Sequence, residues 1–157
     1  MIKIYVFVDE LQWKNKIKRP KAFFQAILKL FPKKYNFKTK NKAFSLLLSN
    51  NKKIKILNKK FRKKNKSTDV LSFPLNKEIS KNNLYLGDII ISYQYMNNPR
   101  SINNLNFKKK VIKIFIHGFL HLLGYDHIKE KDFINMFKEE ERIFNFVERK
   151  IDKIIKI

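Results

Sequence analysis

The apolar positions of this chain fall into two periods, and the switches between them mark out its elements. Residues 1–9 alternate, with Ile2, Ile4, Val6 and Val8 on one side, which predicts a half-buried strand. From Pro20 the spacing becomes helical. Ala22, Phe23, Ala26, Ile27 and Leu30 share a face, Pro20 suits the first turn, and Phe31-Pro32 ends the helix. Residues 42–49 read as a second strand, and Asn50 or Asn51 is placed to cap a helix with Ile54, Leu57 and Phe61 on one side. A basic loop over 62–66 and turn chemistry at Ser67-Thr68-Asp69 lead into a short strand over 70–73, stopped by Pro74. Residues 76–83 read as a loop. Residues 84–92 read as a strand whose continuous apolar end predicts burial on both faces. Residues 97–104 are polar and contain Pro99, so a loop is expected there. A long helix is predicted from about 105 to 123. A last amphipathic helix follows from about 129 to 150, with Phe133, Met136, Phe137, Ile143, Phe144 and Val147 turned inward. Residues 151–157 are expected to fray.

No repeat or linker interrupts this series. It predicts one α+β domain over residues 1–157, a roughly four-stranded mixed sheet packed against four or five helices. The helix over 105–123 should be central, because Ile114, Phe115, Phe119 and Leu122 make one side of it apolar. The 157 residues suffice for one sizeable core. The start of the chain is too short and too soon acidic for a signal peptide, and no apolar run reaches the length of a membrane span. A soluble protein with no membrane partner is expected.

Composition changes this picture in two respects. Cysteine is absent, which excludes disulfides and thiolate metal sites and suits a reducing cytoplasm. The formal net charge is +23, which favours a polyanionic partner, most simply nucleic acid. A coding bias competes as an explanation, since lysine, asparagine, isoleucine and phenylalanine are all abundant and lysine far outnumbers arginine. The charge therefore implies no preference for DNA.

The candidate chemistry sits in one stretch, His117-Gly118-Phe119-Leu120-His121-Leu122-Leu123-Gly124-Tyr125-Asp126-His127, which holds all three histidines. His117 and His121 are one helical turn apart and leave the same face. Gly124 suits the position just past the last turn, and the reversal there can bring His127 back toward the other two. A lone histidine on an apolar face is more often a hydrogen-bonded core residue, but three in one window with none elsewhere are hard to assign to packing. Three neutral imidazoles suit zinc, one per chain, and leave a coordination position open, which is the catalytic pattern. Such a metal lowers the pKa of bound water to about 7 and polarises anionic or carbonyl oxygens, so hydrolysis is the natural reaction.

The peptidase motif His-Glu-x-x-His places a general base where this chain has Gly118, a residue expected to open space beside the metal. That counts against peptide hydrolysis and leaves the general base unassigned. Phosphodiester cleavage fits better, because a metal and an arginine together stabilise its spread negative charge. Arg62, one of few arginines, is the candidate, with a solvated basic loop as the plainer reading. Asp126 suits either a partner for a ligand imidazole or a turn, Asp88 a partner or a bend in its strand, and Tyr125 packing or chemistry. No role is assigned to these three.

Three stretches together resemble one family. Leu57-Asn58-Lys59-Lys60-Phe61-Arg62 with Ser67-Thr68-Asp69-Val70-Leu71-Ser72-Phe73-Pro74 is similar to its first signature. Leu86-Gly87-Asp88-Ile89-Ile90-Ile91-Ser92 is similar to the second, and residues 117–127 to the third and most specific. The family is YbeY, zinc-dependent bacterial endoribonucleases that act as rRNA maturation factors. The resemblance implies zinc on His117, His121 and His127 and a part for Arg62 in RNA cleavage. It further implies single-stranded RNA and ribosomal RNA precursors as partners, processing of the 3′ end of small-subunit (16S) rRNA, association with the small ribosomal subunit, and ribosome quality control. Two departures stand out: Ser67 where proline is frequent, and a proline-broken, asparagine-rich stretch over 97–104 where a helix is common. The alternative is a non-catalytic, zinc-stabilised RNA-binding assembly factor. A metallopeptidase or small-molecule hydrolase is disfavoured by Gly118 and by the basic charge.

Overall fold

A four-stranded mixed sheet carries helices on both faces. The computed structural model describes residues 2–35, 41–75 and 84–156. Strands β1 (Lys3–Val8), β2 (Ala43–Ser49), β3 (Val70–Pro74) and β4 (Tyr85–Ser92) lie in the order β1-β2-β4-β3. β1 pairs parallel with β2 and β2 parallel with β4, while β3 runs antiparallel along β4 and forms one edge. The helices among the described residues are α1 (Trp13–Lys16), α2 (Pro20–Lys29), α3 (Asn51–Arg62), α4 (Tyr93–Met96), α5 (Asn104–Leu122), α6 (Glu130–Glu148) and α7 (Asp152–Ile155), with a 3-10 turn at Lys33–Tyr35. The expected α+β architecture is present. Its four long helices are the ones the periodicity predicts. The three single-turn helices are too short to leave a periodic signal.

Alternation along the strands sends side chains into two cores. Ile89 and Ile91 of β4 join Phe44, Leu46 and Leu48 of β2 in the main core, under α2, α5 and α6. Ile90 points the other way, to Leu71 of β3 and Ile54 of α3. β4 is thus buried on both faces, as its apolar run predicts. Asn50 caps α3, its Oδ1 accepting the Lys53 N–H at 3.0 Å. Along α3, Ile54 is buried, Leu57 half-buried and Phe61 exposed, so that Phe61 lies at the sheet edge with its ring 5.2 Å from that of Phe73.

α5 is the central helix. Val111, Ile112, Phe115, Ile116, Phe119 and Leu120 are fully buried, and the Phe115 and Phe119 rings pack on Phe44 of β2. Gly118 sets how closely this helix approaches the sheet. A Cβ there would stand 2.9 Å from Ile89 Cγ2 and 3.1 Å from Ser72 Oγ. This corrects the expectation that Gly118 opens space beside a metal: the space is filled by β3 and β4, and Ser72 Oγ donates to the Gly118 carbonyl at 3.1 Å.

Two further expectations are overturned. Met136, Ile143, Phe144 and Val147 of α6 are buried, but Phe133 and Phe137 are 54% and 53% exposed. α6 runs back along α5, tied by Lys109–Glu148 near one end and His117–Glu140 midway. Its first turns therefore project past Leu122, where α5 has ended. Phe133 lies past the end of α5, Phe137 lies at the edge of the buried stripe, and the two rings pack on each other, nearly parallel. The tail does not fray. Ile151 and Ile154 are buried, and α7 docks against α2. The expected loop over 76–83, like Met1 and Ile157, lies outside the described residues. None of the helices among the described residues is long and apolar enough to cross a membrane.

Candidate metal centre

The last turn of α5 and the loop after it place the three histidines. The helix ends in a glycine-terminated motif in which Gly124 (φ 92°) donates its N–H to the His121 carbonyl at 3.0 Å, and Tyr125 donates to the Leu120 carbonyl at 3.1 Å. That reversal returns the chain toward the helix, and the ring of His127 comes within 5.5 Å of His117 and 5.0 Å of His121. Each histidine offers one nitrogen to a set whose members all lie within 4.8 Å of one another. Asp126 accepts the His127 backbone N–H at 2.7 Å, so it serves the turn and not an imidazole. Asp88 accepts from the Tyr85 hydroxyl on the exposed side of β4.

The other ring nitrogens fix the tautomers. His117 Nδ1 lies 2.6 Å from the Glu140 carboxylate and His121 Nδ1 lies 2.9 Å from the Tyr125 carbonyl. Both partners accept, so both Nδ1 atoms carry a proton, and with both rings in the neutral, metal-binding form both Nε2 atoms present lone pairs. These two Nε2 atoms face each other at 3.1 Å. With no proton between them the pair is repulsive, and a cation between them relieves it. Zinc held at ~2.0–2.1 Å by tetrahedrally arranged nitrogens separates them by ~3.3 Å, close to what is observed. Burial, the neighbouring His117 and the nearby His127 push the His121 pKa below that of an ordinary histidine, which favours the neutral, metal-binding form. His127 is exposed, so the mouth of the cluster opens to solvent.

Arg62 ends α3 on the opposite face of the sheet from α5, and it packs on the edge strand β3. Its Nη2 donates to the Ser72 carbonyl at 3.1 Å, and its guanidinium lies 6.0 Å from the Phe73 ring. Ser72 in turn bonds Gly118, the residue after His117. The arginine and the metal helix are thus joined through one residue of the edge strand. One bond occupies one of the five guanidinium N–H groups, and the exposed remainder is available to an anion.

A sequence model described as Endoribonuclease YbeY matches residues 7–148. The chain belongs to the YbeY endoribonuclease family. An Endoribonuclease YbeY of Pelagibacter ubique is 60% identical over 152 residues, covering 96% of this chain and 99% of that one. One of Ehrlichia canis is 39% identical over 84% of this chain and 83% of its own length. A solution structure of a Thermotoga maritima protein shares the fold, with a TM-score of 0.59 and 27% identity over 100% of this chain and 96% of that one. Membership of an endoribonuclease family makes RNA the substrate class. Within this family member, sequence reasoning missed Glu140. The available signal was a carboxylate four residues from both Met136 and Phe144, on the otherwise apolar inward stripe of α6.

Proposed function

We propose that this protein is a zinc-dependent endoribonuclease that cuts single-stranded RNA, acting in the cytoplasm on the 3′ end of 16S rRNA precursors and on the small ribosomal subunit. The observation that carries the metal part is the pair of facing Nε2 lone pairs at 3.1 Å, each made by a bond on the far side of its ring. His117, His121 and His127 would hold one Zn²⁺. When bound, the ion supplies positive charge at the phosphodiester and acidifies water.

The chain's own residues do the rest. Glu140 and the Tyr125 carbonyl hold two imidazoles in the ligating tautomer. Arg62, anchored by the Ser72 carbonyl, presents its free N–H groups to the phosphate oxygens and stabilises their charge as the bond breaks. The open mouth beside His127 admits a flexible strand. The ribosomal assignment is the family reading. What supports it here is the 60% identity over nearly the whole chain and the match of all three signature stretches.

The test is metal content and RNA cleavage on one preparation of wild type, His121→Ala and Arg62→Ala. We expect about one zinc per wild-type chain. His121→Ala should lose both metal and cutting, and Arg62→Ala should keep metal and lose only cutting. Binding of RNA by all three with cutting by none overturns the enzyme reading in favour of an assembly factor.

A further inference from the structure

Where the C-terminal helix α7 docks near the start of α5, four lysines converge on one pocket of about 230 Å³: Lys16, Lys18, Lys108 and Lys156. Asn104, the first residue of α5, shares the lining. Lys108 is only 4% exposed, although a lysine is rarely buried without a carboxylate to pair with. Its Nζ donates to the Ile155 carbonyl at the end of α7 and lies 5.6 Å from the centre of the Phe23 ring, neutral partners that leave its charge without a counter-ion. Lys16 likewise meets neutral groups, the Ile102 carbonyl at 3.4 Å and the Phe107 ring at 5.5 Å. None of the ion pairs among the described residues includes any of the four. Burial, and then the charge of Lys18, push Lys108 below the ordinary lysine range, as expected where like charges meet without a counter-ion.

The pocket also lies at the start of a nineteen-residue helix, whose first N–H groups and dipole favour an anion. In a chain of +23 some lysines crowd by chance, but such side chains diverge into water. Here they surround a concavity and one is buried within it. We propose that this pocket binds a phosphoryl oxyanion, either a phosphodiester of the RNA backbone or a free phosphate group. Lys108 and His117 are nine residues apart, which puts them on opposite sides of α5 and about 13 Å apart along it. An anion held here is therefore not the one cleaved at the histidines. The anion chemistry is independent of the nuclease reading; only the RNA source rests on it.

The experiment titrates the full chain with inorganic phosphate at constant ionic strength and follows backbone amide shifts by NMR. Wild type should show saturable shifts centred on Lys16, Asn104, Lys108 and Lys156. The double variant Lys18→Ala, Lys156→Ala should weaken the response about tenfold or more, as loss of charged hydrogen bonds does. The control Lys59→Ala, Lys60→Ala removes the same charge from the exposed side of α3 and should leave it unchanged. Shifts that do not saturate, or that fall equally in both variants, overturn the proposal. A single-stranded RNA with hydroxyl ends then separates the sources. Displacement of phosphate by this RNA, with a salt slope flattened by ~0.7 per lost contact in the Lys18/Lys156 variant, identifies the backbone. Phosphate that still titrates at RNA saturation identifies a free phosphate group.

Discussion

Removing the Glu140 carboxylate is the most direct probe of how the metal centre is built. Its Oε1 lies 2.6 Å from His117 Nδ1, and both side chains are 26% exposed. A hydrogen bond to a charged group contributes about 1.5–3 kcal/mol, and partial solvent contact places this one in the lower half of that range. At 1.4 kcal/mol per decade, losing ~1.5–2 kcal/mol weakens zinc binding roughly 10–30-fold. That agrees with the 10–100-fold cost typical of losing a partner behind a ligand histidine. Glu140→Ala should show this loss in competition with a chromophoric chelator at neutral pH, and the metal-free protein, which also makes the bond, should melt a few degrees below wild type. Glu140→Gln retains an oxygen that accepts the Nδ1 proton and loses only the charge, so it should fall between the two. Wild-type zinc affinity in the alanine variant, or a glutamine variant weaker than the alanine one, refutes the claim that Glu140 sets the tautomer of His117.

Gly118→Ala gains about 1 kcal/mol of helix propensity but forces a Cβ against Ile89 and Ser72, a clash of the kind that costs about 1–3 kcal/mol. A net loss near 1 kcal/mol, read as a melting point lower by a few degrees, is expected, and a more stable variant contradicts the packing. Ile154→Ala should destabilise by about 2–5 kcal/mol because Ile154 is 2% exposed, whereas a frayed tail would tolerate the change. The Tyr35–Glu139 contact predicts two pH limbs in denaturant stability. Burial and then the Glu139 carboxylate raise Tyr35 above the ordinary phenol value, so its contribution is present below about pH 10 and lost as pH rises past it. Burial pulls Glu139 upward, but bonds from Lys34 and Tyr35 and the charge of Arg142 outweigh it and leave the pKa lowered. That contribution is present above the ordinary carboxyl range and lost as pH falls through it. Tyr35→Phe should shrink the alkaline limb, to which the raised Tyr85 and Tyr93 also contribute, and Glu139→Gln should shrink the acid one; an unchanged limb in either variant refutes its assignment.

Long-period elements were legible because burial imposes the period. The alternation in β1 and the stripe on α5 follow from which side meets the core, and Asn50 caps α3 as its residue type predicts. The histidine cluster was legible because one helical turn and one glycine reversal are local facts. Features that depend on where a partner element stops were not. Phe133 lies on the inward side of α6 by periodicity, yet it is exposed because α5 is too short to meet it. Ile151 and Ile154 form too short a pattern to announce a docked helix, and their burial depends on α2 lying where it does. The position of Arg62 depends on the edge strand between two helices that never touch in sequence.

Gly118 shows how one substitution separates this centre from the peptidase pattern it resembles. In the His-Glu-x-x-His arrangement the residue after the first histidine is a carboxylate at the reacting water. Here that position faces the sheet, and a side chain longer than hydrogen meets Ile89, Ser72 and Val70. A glutamate at 118 has no room, so the missing carboxylate is a consequence of packing. The carboxylate that does touch the cluster, Glu140, approaches His117 from its Nδ1 side and is already engaged in that bond. It acts on the His117 imidazole. On the proposed reading, the charge that meets a substrate is then left to a metal held by the three histidines and to Arg62, both positive. A centre of that kind, with its one carboxylate engaged, would match a substrate that brings its own negative charge, and a phosphodiester does so where a peptide does not.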